Sequence, residues 1–114
     1  MSIETNVKDG ILVVRLRGDL DHHAVESIRD QIEAALEETH YRGLVLSFRG
    51  IEFMDSSGLG LILGRYRTLS QRGGRMAICE ITAPLRRIFE MSGLLKILPV
   101  YDREDGAIRA VKEG

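Results

Sequence analysis

The chain has 114 residues, 44% hydrophobic and 29% charged, with two prolines; this suits one compact core, is too short for two, and excludes a disordered or fibrous protein. Its 16 basic and 17 acidic residues leave a net charge of −1, so no global field draws it onto nucleic acid or an anionic membrane, and neither is expected as a partner. Cys79 stands alone, excluding an intramolecular disulfide, and neither a signal-peptide pattern at Met1-Ser2-Ile3-Glu4-Thr5-Asn6 nor an apolar run of transmembrane length is present, so a cytoplasmic protein is expected.

Ile3–Lys8 and Ile11–Arg17 read as strands joined by Asp9-Gly10, a hairpin turn because both positions tolerate positive φ; Arg15 and Arg17 are expected on an outward, polar side. Gly18-Asp19-Leu20-Asp21-His22-His23 forms a polar turn in which Asp21 or His22 is placed to cap a helix. Val25, Ile28, Ile32 and Leu36 give that helix an apolar stripe to about Glu38. Leu44–Phe48 is nearly all apolar, as a central strand buried on both faces should be. Ile51-Glu52-Phe53-Met54 then leads into Asp55-Ser56-Ser57-Gly58, where a second helix begins with Leu59, Ile62, Leu63, Tyr66 and Leu69 on its apolar face, and Gly73-Gly74 ends it with a left-handed cap.

Met76–Ile81 reads as a further strand, with Thr82 as N-cap and Pro84 in the first turn of a third helix carrying Leu85, Ile88, Phe89 and Ser92 on one face. Gly93 stops it. Leu94–Tyr101 is expected to be extended, with Pro99 assigning it to a sheet edge, and Asp102 and Asp105 bracket the first turn of a terminal helix with Ala107, Ile108 and Val111 inward. The order predicts an α/β fold: one domain over residues 1–114, with a mixed, mostly parallel sheet of four to five strands, about four helices and an opening β-hairpin.

Searching for chemistry finds no G-x-S-x-G elbow, no phosphate-binding G-x-x-x-x-G-K-[ST] loop and no G-x-G-x-x-G fingerprint. Asp19, Asp21 and Asp55 are candidates for a carboxylate cluster at one end of the sheet, though capping is the ordinary role of such residues. His22-His23 with a distant His40 lacks the spacing of a metal site, and neither a metal nor a cofactor is expected. Arginines thicken at Arg65, Arg67, Arg72 and Arg75 and again at Arg86 and Arg87, for which a solvated face or dipole complement is the default. Gly58, Gly60 and Gly64 each cost a helix about 1 kcal/mol, so they call for a reason: close packing, or a flat face over which a partner's backbone passes. Ser56 or Ser57 would cap the second helix, and two hydroxyls exceed what one cap needs; the turn also suits an anion or an accepted phosphoryl group.

Three blocks in order, Gly18-Asp19-Leu20-Asp21-His22-His23, the run from Phe53 to Tyr66 (FMDSSGLGLILGRY) and Met91-Ser92-Gly93-Leu94 with Lys96-Ile97, resemble the bacterial anti-sigma factor antagonists of the STAS domain family, most closely those acting in sporulation. The resemblance covers essentially the whole chain and implies a single STAS domain that is a binding protein and kinase substrate, not an enzyme. It implies that the unphosphorylated form binds an anti-sigma factor, itself an ATP-dependent serine kinase, and so releases a sigma factor. The serine following the aspartate of the D-S-[ST]-G motif takes the phosphate, which falls on Ser56, with Ser57 as second choice, and a serine phosphatase restores the active form. The resemblance puts Asp21 with Asp55, Ser56, Ser57, Gly58, Leu59 and Gly60 on the partner-binding surface; Asp19 stands where sporulation members commonly have Glu. A STAS scaffold subunit of a transporter or stress-signalling complex is the alternative, and an enzyme using Asp19, Asp21 and Asp55 a third reading.

Overall fold

The computed structural model describes residues 2–39 and 41–113. Its elements follow one another as β1 (Ser2–Lys8), β2 (Ile11–Arg17), α1 (His22–Thr39), β3 (Gly43–Gly50), α2 (Ser56–Gln71), β4 (Arg75–Cys79), α3 (Ala83–Ser92), a 3₁₀ helix (Leu94–Lys96), β5 (Val100–Tyr101) and α4 (Glu104–Glu113). The five strands lie side by side in sequence order, β1 antiparallel to β2 and all other neighbours parallel. Asp9 at φ 54° and Gly10 at φ 78° turn the opening hairpin, a pair of left-handed positions that matches the strand twist. The expected mixed, mostly parallel sheet is thus observed.

Because each parallel strand follows its neighbour through a helix, right-handed crossovers put α1, α2 and α3 on one face. There Leu12, Val14 and Leu16 of β2, Leu44, Leu46 and Phe48 of β3 and Ile78 of β4 bury against Ile28, Ile32, Ile62, Leu85 and Phe89. α4 covers the other face, where Ile11, Val13, Val45, Ala77 and Cys79 meet Ala107, Ile108 and Val111. β3 is therefore apolar on both sides, as its sequence required.

Double coverage corrects one expectation. Arg15 does not project into solvent: it lies on the α4 face, where its Nε and Nη2 donate to Glu104 at 2.7 and 2.9 Å and its Nη1 to Glu4 at 2.6 Å. The Glu104 bond keeps the Arg15 guanidinium charged, and the same bond holds the Glu104 carboxyl below its ordinary range. Three further expectations shift. Leu94–Tyr101 is mostly not extended; after Gly93, at φ 79°, the chain makes a 3₁₀ turn that buries Leu94, and only Val100 and Tyr101 join the sheet edge. On α2, Leu61 is buried beside Ile62 and Leu69, whereas Leu59, Leu63 and Tyr66 are partly buried. Thr82 does sit at the α3 N-cap, but its hydroxyl donates to the Ile51 carbonyl at 3.0 Å and so ties α3 to the segment leading into α2.

The α2 terminus behaves as its glycines demand. Gly73 adopts φ 77°, its N–H donates to the Ser70 carbonyl and that of Gly74 to Leu69, the paired bonds of a left-handed C-terminal cap.

Cys79 is fully buried, and its burial, followed by the nearby charges of Glu80 and Glu104, pushes the thiol up to about 12. A thiol so placed holds its proton at neutral pH and is a poor nucleophile. Native protein at neutral pH should therefore resist a disulfide-exchange reagent, with full reaction only after denaturant exposes the thiol; rapid titration of the folded protein would contradict this burial.

Candidate functional site

The site forms where two connections run side by side beyond the carboxyl ends of β2 and β3. Gly18 donates to the Gly50 carbonyl at 3.0 Å and Leu20 to Phe53 at 3.1 Å, while Leu20 and Met54 form an isolated parallel bridge. These bonds carry the sheet's register past its end, so that α1 and α2 start next to each other.

Asp55 is the N-cap of α2, and its Oδ1 accepts from the N–H groups of Ser57 at 2.9 Å and Gly58 at 3.3 Å. Its Oδ2 accepts from the His22 N–H at 2.9 Å, the first residue of α1. One carboxylate thus serves orphan donors of two helices. Asp21 caps α1 itself, its Oδ1 accepting from His23 at 3.0 Å and Ala24 at 3.1 Å. Neither serine is the cap of α2, contrary to that expectation, because a carboxylate one residue earlier reaches the same N–H groups. Partial burial pulls the Asp55 carboxyl upward, but the N–H donors of His22, Gly58 and Ser57, with the His22 ring nearby, outweigh it and hold the group below its ordinary value.

With capping done by Asp55, the serine hydroxyls differ. Ser57 is half-buried, its Oγ 3.5 Å from His22 Nδ1. Ser56 is exposed at the first position of α2, and its hydroxyl makes no hydrogen bond among the described residues.

The three glycines separate into two kinds. A Cβ on Gly58 would lie 2.4 Å from Met54 Cγ and 2.7 Å from the Leu20 carbonyl oxygen, so Gly58 is what lets α2 sit on the β2–α1 connection. Cβ atoms on Gly60 and Gly64 would meet nothing within 4 Å. Those two instead line an open groove of about 500 Å3 between α1 and α2, together with His22, Glu26, Arg29 and Ser57. Leu59 is half-buried and packs against the main core.

The remaining candidates disperse. Asp21 and Asp55 are brought together, but as caps, and Asp19 is exposed outside their bonds. The rings of His22 and His23 stand edge to face at 5.9 Å; His40 lies outside the described residues, and among those described no group of three His, Cys, Asp or Glu side chains is placed to hold a metal. Of the arginines, Arg65 pairs with Glu33 of α1, Arg72 is the C-cap residue at the far end of α2, and Arg75 lines a separate cavity. Among the described residues no helix is long and apolar enough to cross a membrane.

The chain, a five-stranded mixed sheet covered by helices, belongs to the STAS domain family, whose model matches residues 2–107. Within that family it is 46% identical over 108 residues to the anti-sigma F factor antagonist of Paenibacillus polymyxa, covering 95% of this chain and 92% of that one. The structure of the anti-sigma factor antagonist SpoIIAA in its unphosphorylated form superimposes with a TM-score of 0.83 at 36% identity, covering 99% of this chain and 98% of the other. The Bacillus cell fate determinant SpoIIAA in its phosphorylated form gives 0.73 at 37% identity, covering 96% and 99%.

The glycine geometry predicts opposite signs for one substitution. Gly58→Ala should lower stability by about 1–3 kcal/mol through overpacking, whereas Gly60→Ala and Gly64→Ala should each raise it by about 0.5–1 kcal/mol through helix propensity; urea unfolding measures all three, and a uniform sign would refute the division. Asp55 sets a pH dependence. Its folded-state value is lowered, so its contribution is complete above the ordinary carboxylate range and is lost as pH falls through its own value. The stability gap between the wild type and Asp55→Ala should accordingly be constant near neutrality and close in acid; a gap independent of pH would show that the carboxylate charge does not matter.

Proposed function

We propose that the chain is an anti-sigma factor antagonist whose unphosphorylated form binds an anti-sigma factor that is also an ATP-dependent serine kinase, thereby releasing a sigma factor. That kinase phosphorylates Ser56, and a serine phosphatase returns the protein to its binding form. Its similarity to anti-sigma factor antagonists over nearly the whole chain supports the antagonist role. The observation that carries the site assignment is the exposed Ser56 hydroxyl at the start of α2, left free because Asp55 occupies the capping position. Ser57 is second choice, since it is half-buried against His22.

The partner surface on this reading comprises Asp21, the Asp55–Gly60 turn and the open groove that Gly60 and Gly64 border. A backbone or flat side chain can approach that helix face because no Cβ stands in the way. The phosphate must come from the partner's ATP, as the chain has no phosphate-binding loop of its own.

A phosphoryl group adds a charge of about −1.5 to −2. Placed on Ser56 it stands at the positive end of the α2 dipole, which favours it, and next to the charged Asp55, which does not. A partner that buries this turn then faces an uncompensated anion, and a penalty of about 3 kcal/mol weakens binding roughly a hundredfold.

Incubation with candidate anti-sigma kinases and ATP, followed by phosphopeptide mass spectrometry, should place the label on Ser56. Ser56→Ala should bind the kinase as the wild type does and resist modification, and Ser56→Asp should bind about tenfold or more weakly. A label confined to residues other than Ser56 and Ser57, or equal binding by Ser56→Asp, would overturn the assignment; recovery only in a membrane assembly, with no kinase bound, would favour a scaffold role.

A further inference from the structure

On the α4 side of the sheet, at the carboxyl ends of β2, β3 and β4, lies a cavity of about 620 Å3 walled by Arg15, Arg17, Ser47, Arg49, Glu80 and Glu104. It shares no residue with the Ser56 turn. Arg15 and Glu104 neutralise each other through their two bonds. Arg17 and Arg49 make no hydrogen bond or ion pair among the described residues; Glu80 lines the cavity with them, and Glu104, already bonded to Arg15, feels the charge of Arg49.

Three features hold this arrangement in place. The β2–β3 register slips between Arg15 and Arg17, where β3 advances from Ser47 to Gly50 while β2 advances from Arg15 to Arg17; the extra residue lies on β3 and sets Gly50 opposite Arg17. Gly50 lies directly beneath that side chain: a Cβ there would come within 2.8 Å of Arg17 Cγ and 2.9 Å of the Leu16 carbonyl oxygen, so only glycine lets the arginine stem lie flat on β3. Glu80 adopts φ 57°, a left-handed conformation that a non-glycine residue keeps only where its surroundings impose it. Its N–H donates to the Tyr101 carbonyl at 3.1 Å, and its Oε1 accepts from Ser47 Oγ at 3.3 Å, from a serine that is 2% exposed. A merely solvated pair of arginines requires neither a bulge, nor a glycine seat, nor a strained neighbour.

We propose that this cavity binds a small oxyanion, the phosphate or carboxylate group of a metabolite-sized ligand, between Arg17 and Arg49. Planar guanidinium forks suit the paired oxygens of either group. Among the side chains that line the cavity three arginines meet the two carboxylates of Glu80 and Glu104, and Glu4 pairs with Arg15 outside that lining, so the net charge of the site is small and suits a small anion over a polyanion. Glu80 and Ser47 form its polar floor and meet hydrogen-bond donors on the rest of the ligand. The site stands on its own residues and is independent of the antagonist reading.

Two-dimensional amide NMR titrations with inorganic phosphate and, separately, acetate test it. Saturable shifts at the Gly18, Gly50 and Glu80 amides are expected, and whichever anion saturates identifies the group. Arg17→Gln and Arg49→Gln, both at exposed positions, should each weaken binding of that anion roughly tenfold or more. Glu80→Gln, which removes an opposing charge, should tighten it, and the remote pair Arg86→Gln, Arg87→Gln should leave it unchanged. Absence of a saturable shift with either anion, saturation centred on the Ser56–Gly58 amides, or unaltered binding in both cavity arginine variants would overturn the proposal.

Discussion

One carboxylate holds the amino ends of two helices in a fixed relation. Asp55 accepts from Ser57 and Gly58 of α2 and from His22 of α1, so neither helix can turn at its start without disturbing the other. Helix starts carry unpaired N–H groups and partial positive charge, and bringing two of them together concentrates that positive character at one point. A charged carboxylate between them resolves the problem, and its lowered proton affinity is the counterpart of that role. Gly58 makes the same junction sterically tight, because α2 rests on Leu20 and Met54 where any other residue would intrude. The site is therefore rigid at its base, and its exposed groups, Ser56 and the Gly60–Gly64 face of α2, are presented from a firm support.

Much of the fold was legible because periodicity and punctuation agreed. The Asp9-Gly10 hairpin, the α1 stripe of Ile28 and Ile32, the all-apolar β3 and the Gly73-Gly74 cap each rest on local rules, and each is observed. What local rules missed involves partners distant in the chain. Arg15 alternates with apolar neighbours and so reads as a solvent-facing residue; its actual environment depends on Glu104 of α4, 89 residues away. Leu94–Tyr101 carries apolar residues and a proline that suit an edge strand, but the left-handed Gly93 starts a 3₁₀ turn that buries Leu94 and shortens the strand to two residues.

The candidate site was legible to a different depth. That a helix begins near Ser56 follows from the change in pattern, and the three glycines announce a helix with something close to it. Which glycine serves packing and which leaves the surface bare is a matter of three-dimensional neighbours: Leu20 lies 38 positions before Gly58 in the chain, and no periodicity encodes its approach. The identity of the cap was hidden for a simpler reason. Aspartate and serine both suit an N-cap, so Asp55-Ser56-Ser57 offers three adjacent candidates, and only the bond to His22, across 33 residues, singles out the aspartate.

That choice of cap has a consequence for how a charge added at Ser56 would act. Were the serine the cap, its hydroxyl would accept from the helix N–H groups, and a phosphoryl group would inherit those donors and sit well neutralised at the helix start. With Asp55 already bonded to Ser57, Gly58 and His22, the donors are occupied, and a phosphoryl group must either displace the carboxylate or extend outward from the exposed first turn. Displacement would release the tie between α1 and α2, whereas extension leaves the scaffold intact and projects the new charge toward whatever approaches. The second course leaves all three Asp55 bonds intact, so on the proposed reading the switch works by placing a second anion beside Asp55 at the partner's contact point while the fold beneath stays as it is.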